Sequence, residues 1–345
     1  MTSAMRASVI IPTFNRCASL TETLIILGQQ TFSRDEFEVI VVDDGSMDDT
    51  PSIQNLALPY RLRYLRQVNQ GAGAARNLGA VQAEGDVLIF IDDDMSLAPG
   101  YIGALVAEHD TLPNIVGIGA MYPYIGAAPT PFDRYMLEWY ERDWAPRGTQ
   151  SEFVHFTKCT SNNMSVERNT FFQLGQWRDV CGDGQTLWGD VEFGYRAQKH
   201  GMRFRYCPTA ICYHRDYAVS DLKTQCARVR RTAELAHDLF RIYPELESEL
   251  EMYRDMSPIR FGADQPSLVA RKLVRILSAT PPMLNLQELA VAYLERAQPT
   301  SPLLKLLYRR IIGAYNYLGY RKNSSSTLSG GRNSGEAREL GQPRG

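Results

Sequence analysis

Short runs of β-branched and aliphatic residues alternate with helical periodicity through the first 120 residues of the chain. The near-continuous run Val39–Val42 is typical of a strand buried on both faces, because a sheet covered by helices on both sides has no polar face. This alternation predicts βαβ units with a parallel sheet between layers of helices. The predicted strands are Ser8–Ile11, Phe37–Val42, Leu62–Leu65, Val87–Ile91 and Ile115–Gly119. The predicted helices lie near Ser19–Gln29, Thr50–Ala57, Ala72–Ala83 and Tyr101–Glu108.

The pattern changes after residue 120, and the change predicts how the chain is divided. Residues 121–218 mix loops, short strands and at least two helices, whereas the pattern from about Ser220 is helical with a break at Pro281-Pro282. The segment from Asn323 onward is rich in Ser, Gly and charged residues, which favours disorder. We therefore predict a domain over 1–218 with halves 1–120 and 121–218, a helical region over 219–322, and a disordered tail over 323–345.

The composition is that of a globular protein, with 44% hydrophobic and 22% charged residues. The net charge of -2 argues against a protein that coats nucleic acid, so we expect no nucleic-acid partner. The six cysteines form no CxxC pair, and no N-terminal apolar run is long enough for a signal peptide, so we expect a reduced, cytoplasmic protein. The charge is unevenly distributed, about -10 over 1–255 and +8 over 256–345.

Two acidic clusters directly follow predicted strands. Asp43-Asp44-Gly45-Ser46 comes after the second strand, and Asp92-Asp93-Asp94 after the fourth. Ligands of open α/β sheets bind at the carboxyl ends of the strands, so both clusters lie where chemistry is expected. Adjacent carboxylates repel one another, and a hard divalent cation completed by a phosphate is the usual way to neutralise them. The alternative at either cluster is a solvated turn or a helix cap.

Two further motifs complete a pattern of four. Pro12-Thr13-Phe14-Asn15-Arg16 ends the first strand, and Gly71-Ala-Gly-Ala-Ala-Arg-Asn opens the helix after the third. Together with Val-Val-Asp-Asp-Gly-Ser-x-Asp-x-Thr and Asp92–Asp94, in this order over about ninety residues, they resemble the inverting family 2 glycosyltransferases.

The resemblance implies an α/β fold of the GT-A type, with a mostly parallel central sheet flanked by helices, here followed by a C-terminal helical extension. It also implies transfer of a sugar from a nucleotide-sugar donor, a UDP-sugar being favoured, to a hydroxyl of a saccharide, glycolipid or other acceptor. The expected cofactor is a divalent metal ion, Mn²⁺ or Mg²⁺, which neutralises the leaving nucleoside diphosphate as a Lewis acid.

The resemblance assigns roles to residues at the donor side. Asp94 is the first choice as metal ligand, with Asp92 or Asp93 assisting. Asp44 matches the carboxylate that accepts a hydrogen bond from the nucleobase. Arg76 matches a residue near the base or the phosphates, and its alternative is a surface arginine on a helix. The residues expected to contact the nucleotide sugar here are Pro12, Thr13, Asn15, Arg16, Asp44, Arg76, Asp92 and Asp93.

On the acceptor side, an inverting transfer needs one carboxylate to take the proton of the attacking hydroxyl. Asp190, in Trp188-Gly189-Asp190, resembles the catalytic Asp of the family's Glu-Asp motif, although Gly189 stands where Glu is usual. The alternative for Asp190 is a helix cap. Glu192 and Asp183 are the other carboxylates considered for the base.

Four further candidates complete the predicted site. Asn162 and Asn163 resemble a turn that lines the donor-sugar pocket, and His214, after a predicted strand, resembles an extra metal ligand found in some relatives. Its alternative is a structural or surface histidine. Aromatic side chains suit sugar rings, and of the four tryptophans we single out Trp188, beside the base. Core packing is the alternative for the others, Trp139, Trp144 and Trp177.

Other functions are also compatible with parts of the sequence. Phe90–Ser96 resembles the strand end of haloacid-dehalogenase-like phosphatases, but that interpretation leaves the motifs at Pro12–Arg16 and Asp43–Ser46 unexplained. A non-catalytic nucleotide-sugar-binding protein is a further alternative. The apolar and basic stretch Leu303–Ile312 predicts peripheral contact with an anionic membrane, and with it a lipid-linked acceptor. Its alternative is a helix packed on the catalytic domain.

Overall fold

A computed structural model describes residues 4–143, 150–181, 187–215 and 221–329. The strands in these ranges are β1 (Ala7–Thr13), β2 (Phe37–Asp43), β3 (Arg61–Arg66), β4 (Val87–Ile91), β5 (Met95–Leu97), β6 (Ile115–Pro123), β7 (Glu152–Val154), β8 (Asn163–Glu167) and β9 (Arg203–His214). The helices are α1 (Cys17–Leu27), α2 (Ala72–Gln82), α3 (Tyr101–Thr111), α4 (Pro131–Asp143), α5 (Arg168–Gln173), α6 (Gly189–Lys199), α7 (Leu222–Ile242), α8 (Leu246–Glu249), α9 (Glu251–Arg254), α10 (Pro266–Ser278), α11 (Pro281–Ala297) and α12 (Pro302–Ser329).

The strands form one sheet in the order β3-β2-β1-β4-β8-β6-β9-β5, with β7 paired to β9. The first four strands in this order are parallel, as predicted. The later part contains the three strands that run the other way, because β8 pairs antiparallel with β4 and β6, and the short strands β5 and β7 pair antiparallel with β9. Since β8 runs against both β4 and β6, and β6 is parallel to β9, the carboxyl ends of β1, β2, β4, β6 and β9 meet at one edge.

Each predicted strand of the first 120 residues is present, and the helices near Ser19, Ala72 and Tyr101 are confirmed. The predicted helix at Thr50–Ala57 is instead a 3-10 helix over Thr50–Asn55.

The core lies against the central strands, as the continuous apolar runs predict. Every residue of β1, β2 and β4 is buried. On one face, Val9, Val41 and Ile91 belong to a cluster with residues of α1 and α3. On the other face, Phe90 packs against Phe171 and Trp177.

The chain divides into two compact units, one of Met1–Gln225 and Ala290–Tyr308 and one of Cys226–Leu289 and Arg309–Gly345. The predicted break at the two prolines is present, since α10 ends at Ser278 and α11 begins at Pro281. The last helix extends to Ser329, so the first residues of the predicted disordered tail are helical. Residues 330–345 lie outside the described part of the chain.

The basic stretch Leu303–Ile312 lies within α12. Leu304, Leu307, Tyr308 and Ile311 are buried at helical spacing, and Lys305 pairs with Glu138 of α4 at 2.7 Å. This burial supports packing against the protein, the alternative to membrane contact. Among the described helices, none has the length and apolar character needed to cross a membrane.

Candidate active site

The shared edge of the sheet brings the predicted site residues together. Thr13 ends β1, Asp92 follows β4, and His214 ends β9. After the Asp92–Asp94 turn, the chain returns as β5, whose first residue, Met95, pairs with His214. The antiparallel pairing of β5 with β9 thus places the acidic turn beside a histidine that is distant in sequence.

Asp92, Asp94 and His214 form a candidate metal centre. One ligand atom from each lies within 4.8 Å of the others, and Nε2 of His214 is 3.0 Å from Oδ1 of Asp94. Burial raises the pKa of Asp94, but contacts with His214 and Arg16 outweigh it, so the pKa lies below its ordinary value. Two carboxylates and an imidazole are a donor set suited to Mn²⁺, and the carboxylates also suit Mg²⁺. The residues present therefore fit the predicted cofactor.

Asp93 has different contacts from its two neighbours. Its carboxylate accepts a 2.7 Å hydrogen bond from the Thr13 hydroxyl and a 2.9 Å hydrogen bond from Arg16, whose Nη1 also lies 2.9 Å from Asp94. Burial raises the pKa of Asp93 to about 6, although Thr13 and Arg16 act in the opposite direction. The Asp93 side chain thus anchors the loop after β1, and its predicted contact with the donor stays a prediction.

The loops after β1 and β2 are fastened to each other by Asn15. Its backbone N–H donates to Ser46 Oγ at 2.8 Å, and its side-chain oxygen accepts from the N–H of Met47 at 2.7 Å. Asn15 has φ of 54°, in the left-handed region, which asparagine tolerates better than most residues. Pro12 is buried inside β1, where it pairs with Val42. Asn15 and Pro12 therefore help to fix the positions of these loops at the carboxyl edge of the sheet.

Asp44 holds the loop that precedes α2. Its carboxylate accepts hydrogen bonds from the Gln67 side chain at 2.7 Å and from the backbone N–H groups of Gln70 and Gly71, both at 2.8 Å. Gly71 has φ of 89°, which favours glycine at the start of this helix. The predicted base-binding carboxylate thus also fixes the glycine-bearing turn.

Arg76 extends from α2 into the protein and is 3% exposed, so its interpretation as a surface arginine is wrong. Nη2 lies 2.6 Å from Asp92 Oδ1, whereas Nε and Nη1 are buried without a hydrogen-bond partner in the described part of the chain. Buried donors without partners cost free energy, so Arg76 has the capacity to bind an anionic group beside the metal ligands.

Asp190 is the second residue of α6, and its Oδ1 accepts from the N–H of Val191 at 2.9 Å. Burial raises the pKa of Asp190, and the positive charge of Arg76 opposes this effect. Glu192 is excluded as the base because it is buried and holds Arg196 through two contacts of 2.9 and 2.7 Å. Asp183 lies outside the described residues.

Two residues predicted to contact the donor sugar, Asn163 and Trp188, are buried, and their contact with the donor stays a prediction. The Asn163 side chain accepts from the Tyr101 hydroxyl and donates to the carbonyl of Gly119, both at 2.7 Å, so it serves the core. Trp188 is only 7% exposed and has φ of 70° directly before α6, so it is not an open platform. Asn162 keeps a buried side-chain oxygen without a partner in the described ranges. Trp177 is also buried, and Trp144 lies outside the described residues.

Arg215 is a residue that the sequence interpretation missed. Its backbone N–H and Nε both donate to the carbonyl of Asp94, at 2.9 and 3.3 Å, and Nη2 donates to Thr23 Oγ1 at 2.8 Å. It also pairs with Glu22 of α1. This buried arginine therefore links α1, the acidic turn and β9. Its position directly after His214, a predicted metal ligand, is the feature of the sequence that could have indicated it.

Residues 8–173 match the sequence family described as Glycosyl transferase family 2. This stretch, just under half of the chain, is a family 2 glycosyltransferase domain. This match excludes the phosphatase interpretation. It covers the acidic turn and Arg76, whereas Asp190 and His214 lie beyond its end, so their placement in the site comes from the tertiary structure.

The glycosyltransferase is 28% identical over 324 residues to the validoxylamine A glucosyltransferase of Streptomyces hygroscopicus subsp. jinggangensis, covering 82% of this chain and 75% of that protein. Two solved structures share its fold. The mannosyltransferase PcManGT of Pyrobaculum calidifontis, in complex with GDP-Man and Mn²⁺, has a TM-score of 0.55 at 19% identity and covers 93% of this chain and 89% of that one. Residues 1–349 of TarS from S. aureus, in complex with UDP-GlcNAc, have a TM-score of 0.51 at 21% identity and cover 93% and 92%.

Proposed function

We propose that this glycosyltransferase is metal-dependent and inverting, and that it moves a hexosyl group from a nucleotide sugar to an acceptor hydroxyl. The observation that carries the proposal is the juxtaposition of Asp92, Asp94 and His214 with the buried guanidinium of Arg76. A nucleoside diphosphate requires both a cation and hydrogen-bond donors, and these groups supply both kinds of contact.

In this proposal Asp92, Asp94 and His214 hold the divalent ion, which supplies Lewis-acid stabilisation of the leaving diphosphate when bound. Arg76 donates from Nε and Nη1 to an oxygen of the diphosphate. The buried N–H groups of Arg76 then find hydrogen-bond acceptors only when the nucleotide sugar is bound. Binding of the nucleotide sugar should therefore stabilise this site.

Asp190 acts as the general base. Its carboxylate takes the proton of the acceptor hydroxyl while the hydroxyl oxygen bonds to the anomeric carbon, and the bond from that carbon to the diphosphate oxygen breaks. A single displacement of this kind inverts the anomeric configuration. Burial raises the pKa of Asp190, which makes it a stronger base than an exposed carboxylate.

For the donor we propose a UDP-sugar, with Asp44 at the base and the Thr13–Arg16 loop and Asn162 nearby. The two structural neighbours contain GDP-Man and UDP-GlcNAc, so the fold accommodates either nucleotide. The predicted acceptor, a carbohydrate or lipid-linked hydroxyl compound, and the cytoplasmic location with peripheral membrane contact remain proposals. Sedimentation with vesicles containing phosphatidylglycerol tests the membrane contact.

The test of the function is a screen of UDP-, GDP- and dTDP-sugars, measured as released nucleotide with Mn²⁺, with Mg²⁺ and with EDTA. We expect release from one class of donor, lost with EDTA and restored by Mn²⁺. Release that is unaffected by EDTA contradicts metal dependence. Nucleotide binding without turnover of any donor favours the non-catalytic alternative.

A further inference from the structure

Three tyrosines surround the end of β9 next to the metal ligands. Tyr213 precedes His214 in β9, pairs in register with Tyr122 of β6, and has its ring centroid 5.9 Å from that of Tyr122. Tyr124 follows β6, and its backbone N–H donates to the carbonyl of His214 at 2.9 Å. We call Tyr122, Tyr124 and Tyr213 the tyrosine platform.

The platform is open on one side and supported on the other. Tyr213 is 43% exposed and Tyr124 is 53% exposed. Behind them, Tyr140 of α4 is buried, with its ring centroid 5.3 Å from that of Tyr122. Because the Tyr213 ring contacts Tyr122, which in turn packs on Tyr140, Tyr213 has little conformational freedom to lose on binding a ligand.

The alternation of side chains along the strands determines which face the platform occupies. Cys212 belongs to the core cluster on the side of α1 and α3, so the neighbouring Tyr213 faces the opposite side of the sheet. Phe90 faces that opposite side too, since Ile89 and Ile91 belong to the same cluster as Cys212. Trp177 packs on Phe90 and on Phe193 of α6. The platform therefore shares a face and an edge of the sheet with α6, whose second residue is Asp190.

We propose that the tyrosine platform binds a sugar ring of the acceptor. This inference rests on the proposed function of the site. The apolar face of a pyranose ring packs on an aromatic face, and the phenolic hydroxyls are able to bond its polar edge. An acceptor bound there lies beside the candidate metal centre and on the same face as the base. Among the described tryptophans, Trp177 and Trp188 are too buried for this role.

The experiment compares Tyr213→Ala and Tyr124→Ala with the wild-type enzyme, using p-nitrophenyl glycosides of glucose, galactose and N-acetylglucosamine as acceptor probes. Nucleotide release is measured with the preferred donor, both without acceptor and over a range of acceptor concentrations. We expect the acceptor KM to rise by about three- to tenfold in each variant, the effect of losing one aromatic contact. Donor hydrolysis without acceptor should stay within about twofold of the wild type, because neither tyrosine is assigned to the donor site.

Two further variants separate stacking from general disturbance. Tyr213→Phe keeps the ring and should retain most of the acceptor affinity. Phe153→Ala is the matched control, because Phe153 is a 48% exposed aromatic residue that pairs with Arg205, near the other end of β9. We expect Phe153→Ala to leave the acceptor KM unchanged.

An unchanged acceptor KM in Tyr213→Ala, with normal donor hydrolysis, refutes acceptor binding by the tyrosine platform. The proposed function is not affected by that result. The same holds if no glycoside stimulates nucleotide release, since the platform is proposed to bind carbohydrate. Absence of nucleotide release from every donor by the wild-type enzyme overturns the proposed function and this inference together.

Discussion

Nε2 of His214 lies 3.0 Å from Oδ1 of Asp94, at the point where β5 pairs with the end of β9. The backbone carbonyl of Asp94 also accepts hydrogen bonds from Arg215. One acidic residue is thus contacted through its side chain by the last residue of β9 and through its backbone by the residue that follows β9. Two further carboxylates, Asp190 and Asp44, lie at the same edge of the sheet.

Replacing Asp94 by Ala should weaken binding of Mn²⁺ in the presence of UDP by more than about 100-fold, because loss of an outer-shell partner alone costs about 10- to 100-fold. His214→Ala should weaken it in the same direction. Titration followed by electron paramagnetic resonance of free Mn²⁺ measures the affinity. The exposed Asp49, changed to Ala, is the control, and equal affinities of Asp94→Ala and the control would refute the metal centre.

Replacing Arg215 by Met should reduce Mn²⁺ affinity by about 10- to 100-fold, because the residue positions Asp94 and His214 without touching the metal. Lys in its place should not restore the affinity, since one ammonium cannot reproduce contacts with Asp94, Glu22 and Thr23 together. UDP binding without metal serves as a second measurement and should change much less. Arg34→Met, at an exposed arginine, is the control. Equal losses of metal-free and metal-dependent binding would indicate a general structural role.

Asp190→Asn should lower kcat for transfer by about 10²- to 10⁴-fold, the usual contribution of general base catalysis, while nucleotide binding is retained. The amide preserves size and the hydrogen bond from Val191 but cannot accept the proton. Calorimetry with UDP and Mn²⁺ and a transfer assay on the same preparation separate the two effects. Transfer at the wild-type rate by this variant would rule out Asp190 as the base.

The pH dependence of kcat should reflect the raised pKa of Asp190. Because burial raises this pKa, Asp190 becomes protonated at a higher pH than an ordinary carboxylate does. On acidification, the activity should therefore start to fall at a higher pH. Activity is therefore full above the folded-state pKa and is lost as the pH decreases through it. Measuring kcat between pH 4 and 8 at saturating metal checks this, and an activity that increases on acidification would contradict it.

Asp44→Ala should lower the free energy of unfolding by about 2–3 kcal/mol, because the partly buried backbone N–H groups of Gln70 and Gly71 lose a charged acceptor. Urea unfolding monitored by circular dichroism measures this loss. Asp49→Ala, in the same loop region but exposed, should change it by less than about 0.5 kcal/mol. Equal stabilities of the two variants would show that the hydrogen bonds of Asp44 contribute little.

The sequence by itself determined the first half of the fold. The continuous Val and Ile runs of β1, β2 and β4 predicted strands buried on both faces, because only a sheet between two helical layers buries both faces of a strand. The sequence also predicted the acidic turn after β4 and the helix start at Asp190, since carboxylates next to apolar runs indicate strand ends and helix starts.

The tertiary structure alone decided which of these residues lie together. Adjacent Asp92, Asp93 and Asp94 look equivalent in sequence, but their contacts assign Asp93 to Thr13 and Arg16 and leave Asp92 and Asp94 with His214. Contacts between distant parts of the chain determine three further features. These are the antiparallel pairing of β5 and β8, the burial of Arg76 and Trp188, and the hydrogen bonds from Arg215 to Asp94. Local patterns carry no information about such contacts, because they are fixed only when the sheet is assembled.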